Sequence, residues 1–360
     1  MEEMKKLNNL VSMEGEINNF ILVWSSVFIS LCYCHSIDKL FPKGIMRALF
    51  ILPVAFLFFL LPLKLTTIHL GGTTSFFIGW LASFKLILFS LGKGPLASKP
   101  PLPIWHFIPL AALPIKAPQD QKITKKCLKS PLNYVTKFFL LLLCIRMYQF
   151  THFLHPKILY FFYAIHIYFA LDMLLAFVGA VARAIVRVEL EPQFEEPYLS
   201  TSVQDFWGRR WNLMVSKILR PTIYIPTRST FARFLGWRWA ALPAVFTTFL
   251  VSGLMHEVVF YTFGRVKPTG VVTSFFVVQG TCLCVEIIIK RMAYGKFRLP
   301  GIVSGALALT FVFFTGMWLF FPPFLQAQAD LKACTESLAF IESVKKRRLV
   351  SPNDITCPYF

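Results

Sequence analysis

Residues 239–262, WAALPAVFTTFLVSGLMHEVVFYT, decide the class of fold. A helix of about 20 apolar residues is long enough to cross the ~30 Å hydrocarbon core of a bilayer. Apart from His256 and Glu257, this stretch carries no ionisable acidic or basic side chain other than Tyr261 near its end. It therefore predicts a membrane-spanning helix with a histidine and a glutamate deep inside it.

Similar apolar runs recur along the chain. They lie near residues 17–35, 46–63, 67–91, 131–151, 157–186, 270–289 and 300–325. Together the runs predict an all-α polytopic membrane protein with about eight transmembrane helices, in a range of roughly seven to nine. A transmembrane β-barrel is excluded because the runs are continuous and lack alternation of apolar and polar residues. The stretch 102–114 is too short and proline-rich to cross alone, so we expect a re-entrant or interfacial helix there.

The composition points to the same class. Hydrophobic residues make up 56% of the 360 residues and charged residues only 15%, whereas soluble domains have roughly 25% charged residues. The net charge of +19 comes from loops around 116–129, 209–238 and 290–298. The positive-inside rule puts these loops on the cytosolic side, which eight spans allow if the N-terminus is lumenal. The basic residues 345–348 then lie in a lumenal tail, against the rule. Basic loops that flank spans suit membrane lipids, so no nucleic-acid partner is expected.

We expect one main domain. Residues 1–16 form a polar N-terminal extension without the features of a secretory signal, 17–325 a single transmembrane domain with a cytosolic loop at 187–238, and 326–360 a C-terminal tail. No internal repeat is visible. The cysteines fall mostly in or beside spans, where they act as small hydrophobic residues, and C-x-C spacing on a helix is poor for a metal. No metal site is expected.

His256 is the first candidate catalytic residue. An ionisable residue inside a membrane span is a functional-site hypothesis by default. A histidine with a pKa near neutrality can take a proton from a hydroxyl as a bond to an acyl carbon forms, which is general-base catalysis. The alternative is a histidine that packs between helices. Because HEVVF is not HExxH, a zinc-protease motif is excluded.

A second group of candidates occupies residues 202–221, SVQDFWGRRWNLMVSKILRP. Arginines beside aromatic rings can bind a phosphorylated or nucleotide group such as coenzyme A. Asn212 could donate to a developing oxyanion or hold a thioester carbonyl. The alternative is an amphipathic interfacial helix. The candidate substrate-binding residues are Asp205, Trp207, Arg209, Arg210, Trp211, Glu257 and Gln279.

These motifs carry a family resemblance. DFWGRRWN at 205–212 and SGLMHE at 252–257, with YAIHIYFALD at 163–172 and SFKLILFSLGKGPL at 83–96, resemble the plant wax synthase group of the membrane-bound O-acyltransferases. In that superfamily an intramembrane histidine is catalytic, and an asparagine in an upstream aromatic-rich motif accompanies it. The resemblance assigns these roles to His256 and Asn212.

The resemblance also implies the reaction and its partners. Acyl-CoA would be the co-substrate and a long-chain fatty alcohol the acceptor, giving a wax ester in the endoplasmic reticulum without a cofactor. The same chemistry on a sterol, or on diacylglycerol with acetyl-CoA, stays open, and so does the oligomeric state. A lipid transporter and a structural or sensor membrane protein are the alternatives outside enzymes.

Overall fold

The computed structural model describes residues 2–98, 100–114, 131–186, 193–293 and 299–359. All regular secondary structure in these residues is helical. The α-helices of at least seven residues are Glu2–Leu40, Ile45–Leu60, Ser83–Ser90, Ile104–Ala112, Pro131–Met147, Pro156–Val186, Leu213–Leu219, Ile225–Trp239, Ala241–Gly264, Val271–Met292, Gly301–Leu319 and Ala329–Lys346. The prediction of an all-α membrane protein is confirmed.

Seven helical segments of the described residues are long and apolar enough to cross a membrane. They are Met13–Leu40, Ile45–Lys64, Ile68–Ser90, Lys157–Phe177, Ala241–Gly264, Val271–Met292 and Gly301–Gln326. Seven of the eight predicted runs thus correspond to spans. The run predicted near 131–151 forms the shorter helix Pro131–Met147, followed by a 3-10 turn, Tyr148–Phe153.

The chain divides into two compact units, which are described one at a time. The first comprises Met1–Leu113, Leu254–Val272 and Pro322–Phe360, and the second comprises Pro114–Gly253 and Thr273–Phe321. The domain bounds predicted from sequence stay a prediction.

In the first unit, two carboxylates cap the start of the span Ile68–Ser90, here called the third span. Glu16 accepts hydrogen bonds from the backbone N–H groups of Thr66 and Thr67 at 2.8 and 2.9 Å. Glu336 accepts from those of Ile68 and His69 at 2.7 and 2.9 Å. Helix N-termini favour such negative groups, because their N–H groups lack intrahelical partners and the helix dipole is positive there.

Glu336 belongs to the helix Ala329–Lys346, here called the tail helix. A disulfide joins Cys334 of this helix to Cys357. The contacts of Glu16 and Glu336 put the tail helix at the end of the first unit where the first span begins.

The opposite end of the first unit is closed by polar contacts of its own. Arg47 pairs with Asp38 at 2.6 Å and donates to the carbonyl oxygen of Phe41. The short helix Ile104–Ala112 has nine residues, so it cannot cross a membrane, as its sequence predicts. The buried Lys85 amino group donates to the carbonyls of Leu110 and Leu113 at 2.6 Å each, satisfying acceptors at the end of that helix.

In the second unit, glycines allow two helices to approach closely. These are Ala241–Gly264, the His256 helix, whose residues up to Gly253 belong to this unit, and Val271–Met292, the Gln279 helix. A Cβ atom on Gly253 would lie 2.9 Å from the Thr273 Cα, and one on Gly280 would lie 2.8 Å from the Phe249 Cβ. Small residues at such crossings permit backbone contact between membrane helices.

Candidate active site

His256 lies two thirds of the way along its helix, within the first unit, and is half-buried. Its imidazole meets the indole of Trp80 edge-to-face, with ring centroids 4.9 Å apart and an interplanar angle of 83°. Trp80 comes from the third span, in the π-helical stretch Ser75–Ala82. A buried aromatic ring against the imidazole restricts the orientation of that imidazole.

Trp80 itself is fully buried, at 0% exposure. Among the buried side-chain nitrogen and oxygen atoms of the described residues, only two have no hydrogen-bond partner, the Nε1 of Trp80 and the Nε of Arg228. A buried donor left without an acceptor costs about 1–3 kcal/mol. Buried tryptophans usually find a partner for this N–H, so the unpaired indole beside His256 needs an explanation.

The other polar groups near Trp80 in sequence are paired. Ser75 and Thr262 share a hydrogen bond of 3.1 Å. Ser83 donates to the carbonyls of Ala55 and Ile78, both at 3.1 Å. Glu257, the residue after His256, is buried. The hydroxyls of Ser75 and Ser83 thus have hydrogen-bond partners, whereas the Trp80 indole N–H has none among the described residues.

The DFWGRRWN motif lies in the second unit and is organised by Asp205. Its carboxylate accepts from the Arg210 Nε at 2.8 Å and from the Thr201 backbone N–H at 3.2 Å. Burial of this carboxyl opposes ionisation, but the Arg210 and Thr201 hydrogen bonds outweigh burial, so the pKa of Asp205 lies below its ordinary value. Asp205 is therefore an anchor for the motif.

The two arginines of the motif have different surroundings. The Arg210 Nη1 also donates to the carbonyls of Glu195 and Glu196, at 3.2 and 3.3 Å, so its guanidinium is engaged within the protein. The Arg209 side chain is 82% exposed and lies 3.7 Å from the Asp205 carboxylate. An exposed guanidinium with one loose ion pair can bind a phosphate group without breaking the structure. Of the two predicted arginines, Arg209 is the one available to a ligand.

Asn212 ends the motif in a left-handed conformation, with φ 44° and ψ 58°. Asparagine tolerates this region better than most residues. Its Oδ1 accepts from the Val215 backbone N–H at 3.4 Å and so caps the helix Leu213–Leu219. The carbonyl oxygen of the amide thus serves as a helix cap.

Trp207 and Gln279 contact each other. The Trp207 indole N–H donates to the Gln279 Oε1 at 3.0 Å, and the Gln279 Nε2 donates to the Thr315 Oγ1 at 2.6 Å. Gln279 is fully buried, at 0% exposure. This chain of hydrogen bonds fastens the motif to the Gln279 helix and to Gly301–Leu319. Both side chains were predicted to bind substrate, and within the described residues their polar groups bind each other.

Trp211 packs among aromatic rings. Its ring stacks on Phe206 at 5.4 Å and lies 4.9 Å from Phe194. Tyr168, at 6.3 Å, accepts a hydrogen bond of 3.0 Å from the buried Lys137 amino group. The same amino group forms an ion pair of 2.6 Å with Asp172. The surroundings of Trp211 thus support a structural role.

The predicted site residues are divided between the two units. His256 and Glu257 belong to the first, and Asp205, Trp207, Arg209, Arg210, Trp211, Asn212 and Gln279 to the second. The second unit brings its residues together in one network around the motif. Their roles in binding and catalysis stay predictions.

Comparison with known proteins agrees with these motifs. A family model described as "Membrane bound O-acyl transferase family" matches residues 190–278, the segment that holds both the DFWGRRWN motif and His256. An acyl-CoA–sterol O-acyltransferase 1 of Arabidopsis thaliana is 46% identical over 327 residues, which are 89% of this chain and 94% of that protein. The chain belongs to the membrane bound O-acyl transferase family.

Other family members are similar over comparable lengths. The long-chain-alcohol O-fatty-acyltransferase of Simmondsia chinensis is 41% identical over 346 residues, covering 94% of this chain and 98% of that protein. A probable long-chain-alcohol O-fatty-acyltransferase 3 of Arabidopsis thaliana is 39% identical over 343 residues, covering 94% and 98%. The predicted membership of this membrane bound O-acyl transferase group is confirmed.

Two features of this family member were not predicted from its sequence. Trp80 sits near the middle of a span, whereas membrane tryptophans concentrate at the interfaces, and that position was the available signal. Cys334 and Cys357 both follow the last span, in a tail expected to be lumenal, where disulfides persist. Their location could have suggested the pairing, although sequence alone does not establish it.

Proposed function

We propose that this protein transfers an acyl group from acyl-CoA to the hydroxyl of a long-chain fatty alcohol and so makes a wax ester in the endoplasmic reticulum. The observation that carries the proposal is His256, a histidine held against a buried ring within an apolar span of a member of this acyltransferase family. Relatives named long-chain-alcohol O-fatty-acyltransferase, at 41% and 39% identity, support the fatty alcohol as acceptor.

The proposed reaction is a direct transfer without a cofactor. His256 accepts the proton of the alcohol hydroxyl as the alcohol oxygen bonds to the thioester carbon. The bond from that carbon to sulfur then breaks, and the thiolate leaving group takes the proton from the imidazolium. The products are the ester and free coenzyme A. General-base catalysis of this kind contributes about 10²- to 10⁴-fold to the rate.

The motif in the second unit is proposed to bind the acyl-CoA. Arg209, with its exposed guanidinium, would bind a phosphate of the nucleotide end. The Asn212 amide, whose carbonyl side caps a helix, would donate its N–H to the thioester carbonyl. Asp205, Arg210 and Gln279 would hold the motif in shape.

A sterol is the second candidate acceptor. The 46% identity to a protein named acyl-CoA–sterol O-acyltransferase favours it. Both acceptors present a hydroxyl on an apolar body, and a hydrophobic pocket separates such shapes by only about 1–3 kcal/mol per methylene-sized difference. The chemistry at His256 would be the same.

Competition between acceptors tests the proposal. Microsomes from a yeast strain that makes no neutral lipid esters, expressing this chain, would receive labelled palmitoyl-CoA or acetyl-CoA with fatty alcohol, sterol and diacylglycerol together. We expect wax ester as the main product. Sterol ester or acetyl-triacylglycerol as the main product would refute the fatty alcohol as acceptor, and no ester at all, with the protein present, would refute acyl transfer.

Two variants of His256 connect the product to the proposed base. His256→Gln keeps a polar side chain of similar size but removes the basic nitrogen, and His256→Ala removes both. We expect both variants to reduce ester formation to background while the amount and thermal stability of the extracted protein stay close to wild type for His256→Gln. Near-normal turnover by His256→Gln would contradict the general-base role.

A further inference from the structure

The proposed function leaves the unpaired indole N–H of Trp80 without a role. Its Nε1 is buried, and among the described residues it has no hydrogen-bond partner. The neighbouring hydroxyls of Ser75 and Ser83 are paired within the protein. A donor-only N–H without a partner among the described residues, in a region where other polar groups are paired, points to an acceptor that those residues do not supply.

The contact between the Trp80 and His256 rings indicates which kind of molecule supplies the acceptor. The Trp80 ring lies 4.9 Å from the His256 ring, in edge-to-face contact. Such a contact offers at best a weak N–H···π interaction, which is second-order compared with a bond to oxygen. Under the proposed function the molecule bound beside His256 is the substrate, so the position of the Trp80 ring favours a substrate oxygen as the acceptor.

The local backbone is a second, independent observation. Trp80 lies on the π-helical stretch Ser75–Ala82 of the third span. Helices with i→i+5 hydrogen bonds are rare and frequently occur at functional sites. A run of eight residues in this conformation alters the rotation of the side chains that follow it, and it carries the tryptophan whose ring meets His256.

We propose that Trp80 is a substrate hydrogen-bond donor, and that its indole N–H binds the carbonyl oxygen of the acyl group during transfer at His256. This inference rests on the proposed function. As the alcohol oxygen bonds to the carbonyl carbon, the carbonyl oxygen gains negative charge. The indole N–H stabilises that charge and keeps its own proton, because it acts only as a donor.

The test compares two tryptophans of the same unit. Trp80→Phe keeps an aromatic ring and removes the N–H. Trp24→Phe is the matched control, because the Trp24 indole already donates to the Thr74 hydroxyl at 3.3 Å. Turnover of purified protein with palmitoyl-CoA and the acceptor that gives the most product is measured for wild type, both variants and His256→Gln.

We expect Trp80→Phe to lower kcat by about 10²-fold, the lower end of the loss on removing one oxyanion donor. KM for both substrates should stay within a factor of about three, since the lost bond forms fully only in the transition state. Trp24→Phe should keep kcat within the same factor. A KM increase at unchanged kcat, or a Trp80→Phe rate near wild type, would overturn the inference.

A replacement of similar shape distinguishes loss of the Trp80 N–H from a change in packing. Incorporating 3-benzothienylalanine at Trp80 substitutes sulfur for the N–H group and keeps the two-ring outline. We expect the same loss of kcat as in Trp80→Phe, and a normal rate would overturn the inference. The His256→Gln result separates the two proposals. An inactive His256→Gln with a fully active Trp80→Phe overturns the Trp80 assignment alone, whereas an active His256→Gln overturns the proposed function and the Trp80 assignment with it.

Discussion

Replacing Asn212 separates its structural role from its chemical role. The residue holds φ at 44° and caps the following helix through Val215. Asn212→Ala loses the cap, at about 1 kcal/mol, and puts an alanine in the left-handed region, at a further ~1–2 kcal/mol. Asn212→Gly also lacks the amide, yet glycine adopts this conformation freely, and as a cap it costs only a few tenths of a kcal/mol.

The two variants should therefore differ in stability and agree in activity. If the Asn212 amide donates to the thioester carbonyl, both should lose about 10²-fold or more in kcat. Only Asn212→Ala should lower the midpoint of thermal unfolding measurably. The assay is ester formation per folded protein in detergent, with the folded fraction measured by size-exclusion chromatography. An Asn212→Gly variant that is stable and keeps near-normal kcat would refute the chemical role and leave Asn212 as a helix cap.

The other predictions concern residues that share a motif or a contact. Arg209→Gln should raise KM for acyl-CoA several-fold at unchanged stability. Arg210→Gln should lower the free energy of unfolding by about 1–3 kcal/mol, because the buried Asp205 carboxylate and the carbonyls of Glu195 and Glu196 lose their hydrogen-bond donor. Equal effects of the two changes on KM would contradict this division. Gln279→Leu should destabilise by about 1–3 kcal/mol, since it leaves the Trp207 N–H unpaired, and the added change Trp207→Phe should recover part of the loss. A double variant no more stable than Gln279→Leu would count against the contact. Cys334→Ser should cost about 3 kcal/mol from the opened loop and make the tail sensitive to limited proteolysis, and a wild-type digestion pattern would argue against the disulfide.

The spans and the family could be predicted from the sequence because each depends on local signals. Run length alone defines a membrane helix, and the runs near 46–63 and 300–325 agree with Ile45–Lys64 and Gly301–Gln326. Near 131–151 the pattern was less informative. The α-helix there ends at Met147 and a 3-10 turn follows, a change of helix type that hydropathy does not record.

The division of labour within the motif could not be predicted. Arg209 and Arg210 are chemically identical neighbours, and only tertiary contacts show that one is engaged with Asp205 and two carbonyls. Trp207 and Gln279 were each predicted to bind substrate. Their mutual hydrogen bond joins residues 72 positions apart, so the sequence gives no sign of it. Long-range hydrogen bonds of this kind leave no periodic trace in a sequence.

The cap formed by Glu336 has a consequence for the order of assembly. Its hydrogen bond to Ile68 joins residues 268 positions apart, so the bond forms only when nearly the whole chain has left the ribosome. Until then two backbone N–H groups at the start of the third span, those of Ile68 and His69, lack this carboxylate. Contacts of high sequence separation form late and slowly. Membrane insertion of the early spans must therefore precede their final stabilisation, and a chain truncated before the tail helix should insert normally but remain a substrate for quality-control proteolysis.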